Sequence, residues 1–311
     1  MTLLVTGGAG FIGSHVADAL VEQGHEVHVL DDLSSGQRHH VPEAAPLFEH
    51  DIRSDAAAAL FAEHQYDGLV HHAAQIDVRR SVEAPRFDAA VNIGGLLNLM
   101  EAGLDNGLQK VVFASTGGAI YGEPDYTPQD EEHPLRPVSP YGVAKLAAEK
   151  YLHYYQHQHA LDAVSLRYAN VYGPRQDPHG EAGVVAIFVG EMLSGGQPVI
   201  NGSGEQTRDY VYVGDVAEAN LAALAYDGSG TFNVGTGRET SVNELFRMLR
   251  DETGAEVEEA HGPAQPGEQQ RSVLGAEKAN AELGWAPRVS LETGLARTVD
   301  WFRDAFEAEP T

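Results

Sequence analysis

The sequence of 311 residues predicts an α/β fold, in which a doubly wound parallel sheet is joined to a smaller α/β C-terminal domain. Two observations predict it. The chain opens with an apolar run from Leu3 to Val5, a glycine cluster, and an apolar-periodic segment from Phe11 to Val21, which is the order strand, tight turn, helix. Strand-like and helix-like segments then alternate, as in sheets that are built from βαβ units.

The glycine cluster is typical of a turn that holds a pyrophosphate. Gly7, Gly10 and Gly13 satisfy G-x-x-G-x-x-G, and Gly8 allows a G-x-G-x-x-G reading with the last two. In either register the missing Cβ atoms let the chain turn sharply, let a phosphate approach the backbone, and let the helix pack close to its strand. The turn therefore predicts a Rossmann domain with the anion over the helix N-terminus.

An acidic residue about 20 positions after the turn tests this interpretation, because it accepts the hydroxyls of the adenosine ribose. The segment His25 to Leu30 predicts the next strand, and Asp31 and Asp32 close it. A carboxylate at this place repels the 2′-phosphate of NADP, so the sequence predicts NAD as the cofactor.

Composition excludes several classes of partner. Lys and Arg number 20 against 46 Asp and Glu, a net charge of -26, which disfavours nucleic acid and anionic membranes. The absence of cysteine excludes disulfides and thiol chemistry. The first residues are strand-like rather than a basic leader, and no apolar run is long enough to span a membrane. We therefore expect a soluble, cytoplasmic protein with an acidic, solvated surface.

Two further strand ends are expected to face the cofactor, because ligands lie beyond the carboxyl ends of strands in doubly wound sheets. They contribute Asp51 and Ile52 near the adenine, and Ala73, Ala74 and Gln75 along the groove. His71 and His72 precede the second group and invite a metal interpretation. Neighbouring strand residues point to opposite faces, so we favour structural roles and predict no metal site.

The strand Lys110 to Ala114 ends in hydroxyls, Ser115 and Thr116, at the edge where a substrate is expected. A proline-rich loop then leads into a helix in which Tyr141 and Lys145 lie four apart, on one face. An ammonium near a phenol favours the phenolate and lowers its pKa from about 10. Tyr141 is therefore the predicted general base, and Lys145 also holds the nicotinamide ribose. The order of these motifs along the chain favours this interpretation over a chance Y-x-x-x-K.

Together these motifs resemble extended short-chain dehydrogenase/reductases, and most closely the UDP-glucose 4-epimerase family, also called UDP-galactose 4-epimerases. The stretches that carry the resemblance are TGGAGFIGSH, LDDLSSG, HHAAQ, VNIGGLLNLMEA, VFASTGGAIYG, SPYGVAK, SLRYANVYGPRQDP, TRDYVYVGDVA and FNVGTG. They are dense from Thr2 to about Gly237, and the remaining quarter of the chain matches more loosely.

The resemblance implies a reaction through a 4-keto sugar nucleotide. Tyr141 takes the proton of the sugar 4-hydroxyl, assisted by Ser115 or Thr116, while the C4 hydride passes to NAD; return of the hydride to the other face inverts C4. Relatives that dehydrate or decarboxylate carry an acid just after the Ser/Thr pair, where this chain has Gly117 and Gly118. This difference favours epimerisation and leaves open which hydroxyl assists.

The motifs and the resemblance together imply two sets of contacts. Expected at the cofactor are Gly7, Gly10, Phe11, Ile12, Gly13, Asp31, Asp32, Ser35, Gly36, Asp51, Ile52, Ala73, Ala74, Gln75, Asn92, Tyr141, Lys145 and Tyr168. Expected at the UDP-sugar substrate are Thr116, Gly117, Asn170, Val184, Val185, Gln206, Arg208, Glu268, Arg271 and Ser272.

Two positions in the second set bear on specificity. Gln265 stands where the family has a second arginine for the diphosphate, and Arg271 is the candidate substitute. Ser272 stands at the family's pocket gatekeeper, which is small in enzymes that also accept N-acetylated sugars. The sequence therefore predicts activity on UDP-GlcNAc and UDP-GalNAc beside UDP-glucose and UDP-galactose.

We expect residues 1–168, with a returning segment near 211–236, to form the NAD-binding domain, and residues 169–210 and 237–311 to bind the nucleotide sugar. The latter include predicted helices at Ser241 to Arg250, with Ser241 as N-cap and Glu244 as its capping-box partner, near Ala276 to Leu283, and from Leu291 to Phe306. The resemblance also implies a homodimer, through a bundle of two helices from each subunit.

Two alternatives remain open from the sequence. One is a 4-epimerase of UDP-glucuronate or a UDP-pentose, which a cation facing the sugar C6 would indicate. The other is a catalytically silent NAD-sensing protein, against which the intact Tyr141, Lys145 and Thr116 argue.

Overall fold

A parallel sheet of seven strands is the centre of the computed structural model, which describes residues 1–179, 183–264 and 269–308. The strands are β1 (Thr2–Thr6), β2 (Glu26–Asp31), β3 (Leu47–Glu49), β4 (Gly68–His71), β5 (Lys110–Thr116), β6 (Asp162–Tyr168), β7 (Asn170–Tyr172), β8 (Val199–Asn201), β9 (Thr207–Arg208), β10 (Tyr210–Tyr212), β11 (Gly230–Val234), β12 (Thr240–Ser241), β13 (Ala260–Gly262) and β14 (Arg271–Ser272). The large sheet has the order β11-β6-β5-β4-β1-β2-β3. The order reverses between β1 and β4, which is where a doubly wound sheet opens a ligand crevice.

Helices cover both faces of this sheet. They are α1 (Phe11–Glu22), α2 (Asp55–His64), α3 (Val78–Glu83), α4 (Pro85–Ala89), α5 (Leu96–Asp105), α6 (Gly117–Tyr121), α7 (Pro140–Gln158), α8 (Val184–Leu193), α9 (Val213–Ala225), α10 (Val242–Thr253) and α11 (Leu291–Ala308). One face packs on α1 and α9, and the other packs on α2, α5 and α7. Burial on both faces explains why the strands are almost continuously apolar. The predicted doubly wound fold is confirmed.

A second, smaller core lies in the C-terminal part. There α8, α10 and α11 enclose Phe188, Phe246 and Phe302 beside three short sheets. Asp209 fastens this part together: it is fully buried, and its carboxylate accepts hydrogen bonds from the backbone N–H groups of Thr236 and Leu274 at 3.0 and 3.2 Å. Strand β11 returns to the edge of the large sheet, next to β6.

Several elements differ from the sequence prediction. The apolar spacing from Asn92 to Leu104 predicts a helix over those residues, but the helix begins earlier, because α4 continues through a π-helical turn, Ala90–Gly95, into α5. A π-turn inserts one residue per turn and reorients the side chains that follow it. The helix expected near Ala276 to Leu283 is a short π-helical turn, Ala279–Leu283. Within the described ranges, no helix is both long and apolar enough to cross a membrane.

Helix α10 begins at the predicted position, but only one of the two hydrogen bonds of the predicted capping box forms. The Ser241 hydroxyl accepts a hydrogen bond from the Glu244 backbone N–H at 3.1 Å. The Glu244 carboxylate instead contacts the guanidinium of Arg238 at 3.3 Å, because a charged partner outcompetes a backbone donor.

His71 on β4 is a buried titratable group inside the sheet. It is 1% exposed, its Nδ1 lies 2.7 Å from the Thr6 hydroxyl, and its ring stacks on Phe113. Burial lowers its pKa from 6.5 to about 3, and the charge of Lys145 adds to this effect. The structural role that was favoured for this histidine agrees with these contacts.

We expect His71 to make the fold sensitive to acid. Because its folded-state pKa is lowered, the unfolded chain binds a proton below pH 6.5 that the folded chain does not, so stability falls as the pH drops toward 3. Between pH 7.5 and pH 5 this costs about 2 kcal/mol of the free energy of unfolding. Urea unfolding at both pH values should show a loss about 2 kcal/mol smaller for His71→Gln than for the unmodified protein. Equal losses would contradict the prediction.

Candidate active site

The turn between β1 and α1 shows the close approaches that a phosphate cradle requires. Gly7 has a φ of +68°, and a Cβ on it would lie 2.6 Å from a backbone nitrogen two residues beyond β4. A Cβ on Gly13 would collide with the Gly7 carbonyl oxygen. Gly10 precedes α1 without a side-chain cap, so the first helical N–H groups, those of Phe11 and Ile12, remain at an open helix end. These contacts favour the register Gly7, Gly10, Gly13, and the cradle fits a dinucleotide.

Asp31 is the acid that faces this turn. Its side chain is 7% exposed, and its carboxylate accepts hydrogen bonds from the Ala9 and Leu33 backbone N–H groups at 3.0 and 2.9 Å. Burial raises the pKa of Asp31. Asp32, by contrast, is exposed. A Cβ on Gly36 would lie 2.8 Å from the Asp31 carboxylate, so this loop closes tightly over it. Of the two predicted acids, Asp31 has the geometry of the ribose acceptor.

Asp51 and Ile52 reach the same edge of the sheet, because β3 pairs in parallel with β2. The Asp51 carboxylate is bound by the Arg53 guanidinium, at 2.9 Å from Nε, and this hydrogen bond lowers the pKa of Asp51. Ile52 is 5% exposed and packs against Gly95. Ile52 is thus a core residue beneath α5, and Asp51 is already paired with a cation.

Beyond β4, three buried polar side chains, those of Gln75, Asp88 and Asn92, form a hydrogen-bonded group, called the bracket below, beside the predicted cofactor groove. The Asn92 side-chain oxygen accepts from the Gln75 backbone N–H, and its nitrogen donates to the Gln75 carbonyl oxygen, both at 2.9 Å. The Gln75 and Asn92 amides each donate to Asp88 Oδ1 at 3.0 Å. The Asn92 side chain therefore holds the loop of Ala73 and Ala74 in place. Asn92 itself lies in the π-helical turn between α4 and α5.

Strand β5 and helix α7 bring the predicted catalytic residues together. Ser139 caps α7 by accepting from the Gly142 N–H at 3.1 Å, which sets Tyr141 in the first helical turn. The Lys145 ammonium donates to the Ala114 carbonyl oxygen at 2.8 Å and lies 5.9 Å from the centroid of the Tyr141 ring. The Y-x-x-x-K pair thus lies directly against the end of β5.

The two hydroxyls at the end of β5 have different surroundings. Ser115 is 4% exposed, and its hydroxyl donates to Glu149 at 2.6 Å. Thr116 is partly exposed, and its oxygen accepts from the Ala119 N–H at 3.5 Å, at the start of α6. An accepting bond leaves the hydroxyl proton of Thr116 available, whereas the proton of Ser115 is committed to Glu149. The geometry favours Thr116 as the assisting hydroxyl.

The electrostatics of Tyr141 and Lys145 differ from the sequence expectation. Burial lowers the pKa of Lys145 to about 8, and the negative charges of Asp88 and Glu149 oppose that shift. Burial raises the pKa of Tyr141, and the charge of Asp88 raises it further. The expectation that the phenol's pKa lies below its usual value is wrong for the protein by itself, because burial and the charge of Asp88 both raise it.

The C-terminal part of the chain reaches the turn after Thr116 through β14. Ser272 is 2% exposed, and its hydroxyl lies 3.3 Å from where a Cβ on Gly118 would stand. A Cβ on Gly117 would lie 2.5 Å from a methyl group of Leu274, which is fully buried. Ser272 is therefore placed beside the predicted sugar pocket, and Leu274 fills the space where an acid would project from position 117.

Arg271 does not face this pocket. Its neighbour in β14 points inward, and strand residues alternate, so Arg271 points outward. Its guanidinium forms a bidentate pair with Glu239, at 2.9 and 2.6 Å, and is about half exposed. The expectation that Arg271 replaces the family's second arginine at the diphosphate is therefore not supported by this arrangement.

The remaining predicted residues occupy the following places. Asn170 is exposed at the start of β7, and Ser35 is exposed in the loop after β2. Val184 and Val185 form the first turn of α8, with Val185 in the C-terminal core. Gln206 is buried and donates to the Asn201 carbonyl, and Arg208 donates to the Thr207 carbonyl. Glu268 lies outside the described residues.

Tyr168 and the histidine before Ala73 form a small stacked pair at the same edge. The Tyr168 hydroxyl lies 2.9 Å from the Asn220 amide and 3.3 Å from His72 Nε2. Burial lowers the pKa of His72 to about 3. In the described part of the chain, no group of three or more His, Cys, Asp or Glu could hold a metal ion.

Sequence reasoning missed a buried ion pair behind the site. Arg167 on β6 contacts both carboxylate oxygens of Glu149 at 3.0 and 2.7 Å, and both side chains are 5% exposed. Arg167 also donates to the hydroxyl of Tyr121 at 2.8 Å. The signal was present: Glu149 follows Lys145 by one helical turn, and Arg167 is a charged residue within a strand that is buried along most of its length.

Comparison with known proteins gives matches along the whole chain. Residues 3–235 match the model of the NAD dependent epimerase/dehydratase family. A UDP-glucose 4-epimerase of Mycolicibacterium smegmatis is 47% identical over 310 residues, covering 98% of this chain and 99% of its own. The fold is similar to the Thermotoga maritima UDP-glucose 4-epimerase with UDP-glucose (TM-score 0.96, 48% identity, 98% and 100% coverage) and to the Thermus thermophilus UDP-glucose 4-epimerase complex with NAD (TM-score 0.93, 46% identity, 98% and 100% coverage).

Proposed function

The chain belongs to the NAD-dependent epimerase/dehydratase family, and we propose that it is a UDP-glucose 4-epimerase, which interconverts UDP-glucose and UDP-galactose through a 4-keto intermediate. The observation that carries the proposal is the arrangement of Thr116, Tyr141 and Lys145 at the carboxyl end of β5, next to Gly117, which cannot transfer a proton. The similarity over the full length to UDP-glucose 4-epimerases supports it.

Several residues of the chain have separate roles in the reaction at the sugar C4. When bound, NAD supplies the hydride acceptor and donor, and its oxidised nicotinamide adds a positive charge to the site. Tyr141 accepts the proton of the 4-hydroxyl and returns it, and Thr116 donates a hydrogen bond to the same oxygen. Lys145 favours the phenolate of Tyr141 and holds the ribose hydroxyls. Asp31, at the end of β2, selects NAD over NADP by its charge.

An assay without added cofactor tests the proposal. The purified protein, incubated with UDP-glucose, should form UDP-galactose. Tyr141→Phe should lower kcat by at least about 100-fold, because general acid-base catalysis contributes on that order, while the content of bound NAD stays unchanged. Product formation by the variant at the unmodified rate would contradict the role of Tyr141. Absence of any 4-epimerisation of UDP-glucose, UDP-GlcNAc or UDP-glucuronate would favour the NAD-sensing alternative.

A matched pair of variants tests which hydroxyl assists. Thr116→Ala should lower kcat roughly 10- to 100-fold, which is the cost of a hydrogen bond to a group that develops charge. Ser115→Ala removes a donor from the buried Glu149, so it should lower the melting temperature and change kcat much less. The reverse order of kcat losses would assign the role to Ser115.

The sugar preference follows from the small residue at the pocket wall. We expect activity on UDP-GlcNAc, because the residue next to Gly118 at this wall, Ser272, is small. Ser272→Tyr should lower kcat/KM for UDP-GlcNAc at least about 100-fold and change that for UDP-glucose less than tenfold. A rate of the unmodified protein with UDP-GlcNAc below about a thousandth of that with UDP-glucose, roughly 4 kcal/mol in barrier, would refute this preference.

The homodimer and the cytoplasmic location remain predictions. The exposed face of α7 supports the dimer, since Val143, Tyr151 and Tyr154 lie on one side of the helix and are 53%, 40% and 53% exposed. A UDP-glucuronate or UDP-pentose epimerase is the alternative within the family, and the same assay distinguishes it by substrate.

A further inference from the structure

Asp88 is a buried carboxylate that the proposed reaction does not use. It lies on α4, which packs against α7, and it is 1% exposed. Oδ1 accepts from the Gln75 and Asn92 amides, which are neutral donors. Oδ2 is buried and has no hydrogen-bond partner in the part of the chain that the structure describes. Burial of such a group is costly unless a positive charge lies nearby.

The carboxylates of Asp88 and Glu149 both act on the charge of Lys145, but only the charge of Asp88 is not already neutralised by an arginine. Glu149 already forms a bidentate pair with Arg167, so its charge is balanced at close range. Asp88 receives only amide hydrogen bonds. Lys145, which is 3% exposed, donates to the Ala114 carbonyl, a neutral acceptor, so its own charge is not balanced there. The unbalanced anion and the unbalanced cation lie on two helices that pack together.

We propose that Asp88 is the counter-ion of Lys145 and a positioning residue of the active site. Its charge holds Lys145 as an ammonium in a dry environment, and its Oδ1 fixes the bracket of Gln75 and Asn92 against the cofactor groove. Burial lowers the pKa of Lys145, and the charge of Asp88 opposes that shift. Burial likewise raises the pKa of Asp88, and the Gln75 and Asn92 amides and the charge of Lys145 oppose that shift. Only the catalytic consequence rests on the proposed function.

The other titratable groups around Lys145 do not take this role. His71 and His72, from β4, are neutral near pH 7 because burial lowers both pKa values to about 3. Tyr141, on the same helix, is a neutral phenol in that range because burial raises its pKa. Glu149 is compensated by Arg167. Removal of the Asp88 charge should therefore lower the pKa of Lys145 and that of Tyr141 together.

A direct titration of Lys145 tests the proposal. The lysines of this chain are Lys110, Lys145, Lys150 and Lys278, so protein labelled with 13C at the lysine Cε atoms gives four assignable signals. Asp88→Asn should lower the pKa of Lys145 by about one unit, the low end of the effect of a neighbouring charge. Asp77→Asn is the matched control, because it removes a nearby carboxylate that caps α3 at the surface and does not lie on α4. It should leave the Lys145 signal unchanged.

The pH profile of kcat gives the second readout. In Asp88→Asn both the acid and the alkaline limb of the kcat profile should move to lower pH by about one unit. Loss of a purely structural role would instead lower the maximum kcat and leave the pH of both limbs unchanged. Asp88→Ser, which leaves room for water, serves if the asparagine variant does not fold. A Lys145 pKa that is unchanged in a folded variant, or that lies well below 7 in the unmodified protein, overturns the proposal. Because the titration needs no turnover, a shifted Lys145 pKa in a protein that fails to epimerise UDP-glucose would refute the proposed function and leave the counter-ion in place.

Discussion

The ion pair of Glu149 and Arg167 is the interaction on which the site most depends. It joins α7 to β6, and through the Ser115 hydroxyl it also holds the end of β5. Loss of one partner of such a pair leaves a buried charge uncompensated, at about 3–5 kcal/mol, so the three elements are fixed together. The Ser115 hydroxyl donates its hydrogen bond to Glu149 of this pair, whereas the proton of the Thr116 hydroxyl remains available. A structural interaction thereby decides which hydroxyl is free for chemistry.

The site is electrostatically balanced before a dinucleotide binds. Two cations, Lys145 and Arg167, stand against two buried carboxylates, Asp88 and Glu149. In this balance the phenol of Tyr141 has no excess positive charge to favour its ionisation, and desolvation raises its pKa. The ammonium in the Y-x-x-x-K motif donates to the Ala114 carbonyl oxygen and does not by itself offset the burial of the phenol. A further positive charge must enter the site before the phenolate becomes favourable.

Local patterns in the sequence predict much of this arrangement. The glycine turn, Asp31 and the Tyr141–Lys145 pair are each defined within a few residues of chain, and the structure brings them to one edge of the sheet. The features that were missed depend on contacts distant in sequence. Asp88 meets Gln75, 13 residues earlier, only because α3 and α4 fold back on the loop after β4, and Arg271 faces outward where it pairs with Glu239, 32 residues away. The direction of the Tyr141 pKa shift depends on desolvation, which only the folded chain defines.

The packing of Leu274 on Gly117 has a consequence for how reactions diverge within this family. An acidic side chain at position 117 would need the space that the leucine methyl groups occupy, and that leucine lies more than 150 residues later in the chain, just after β14. A lineage that moved from inverting a sugar to removing water or carbon dioxide from it would have to alter both positions. Either change made first would leave a clash or a void, so such transitions are expected to be rare and to carry paired substitutions.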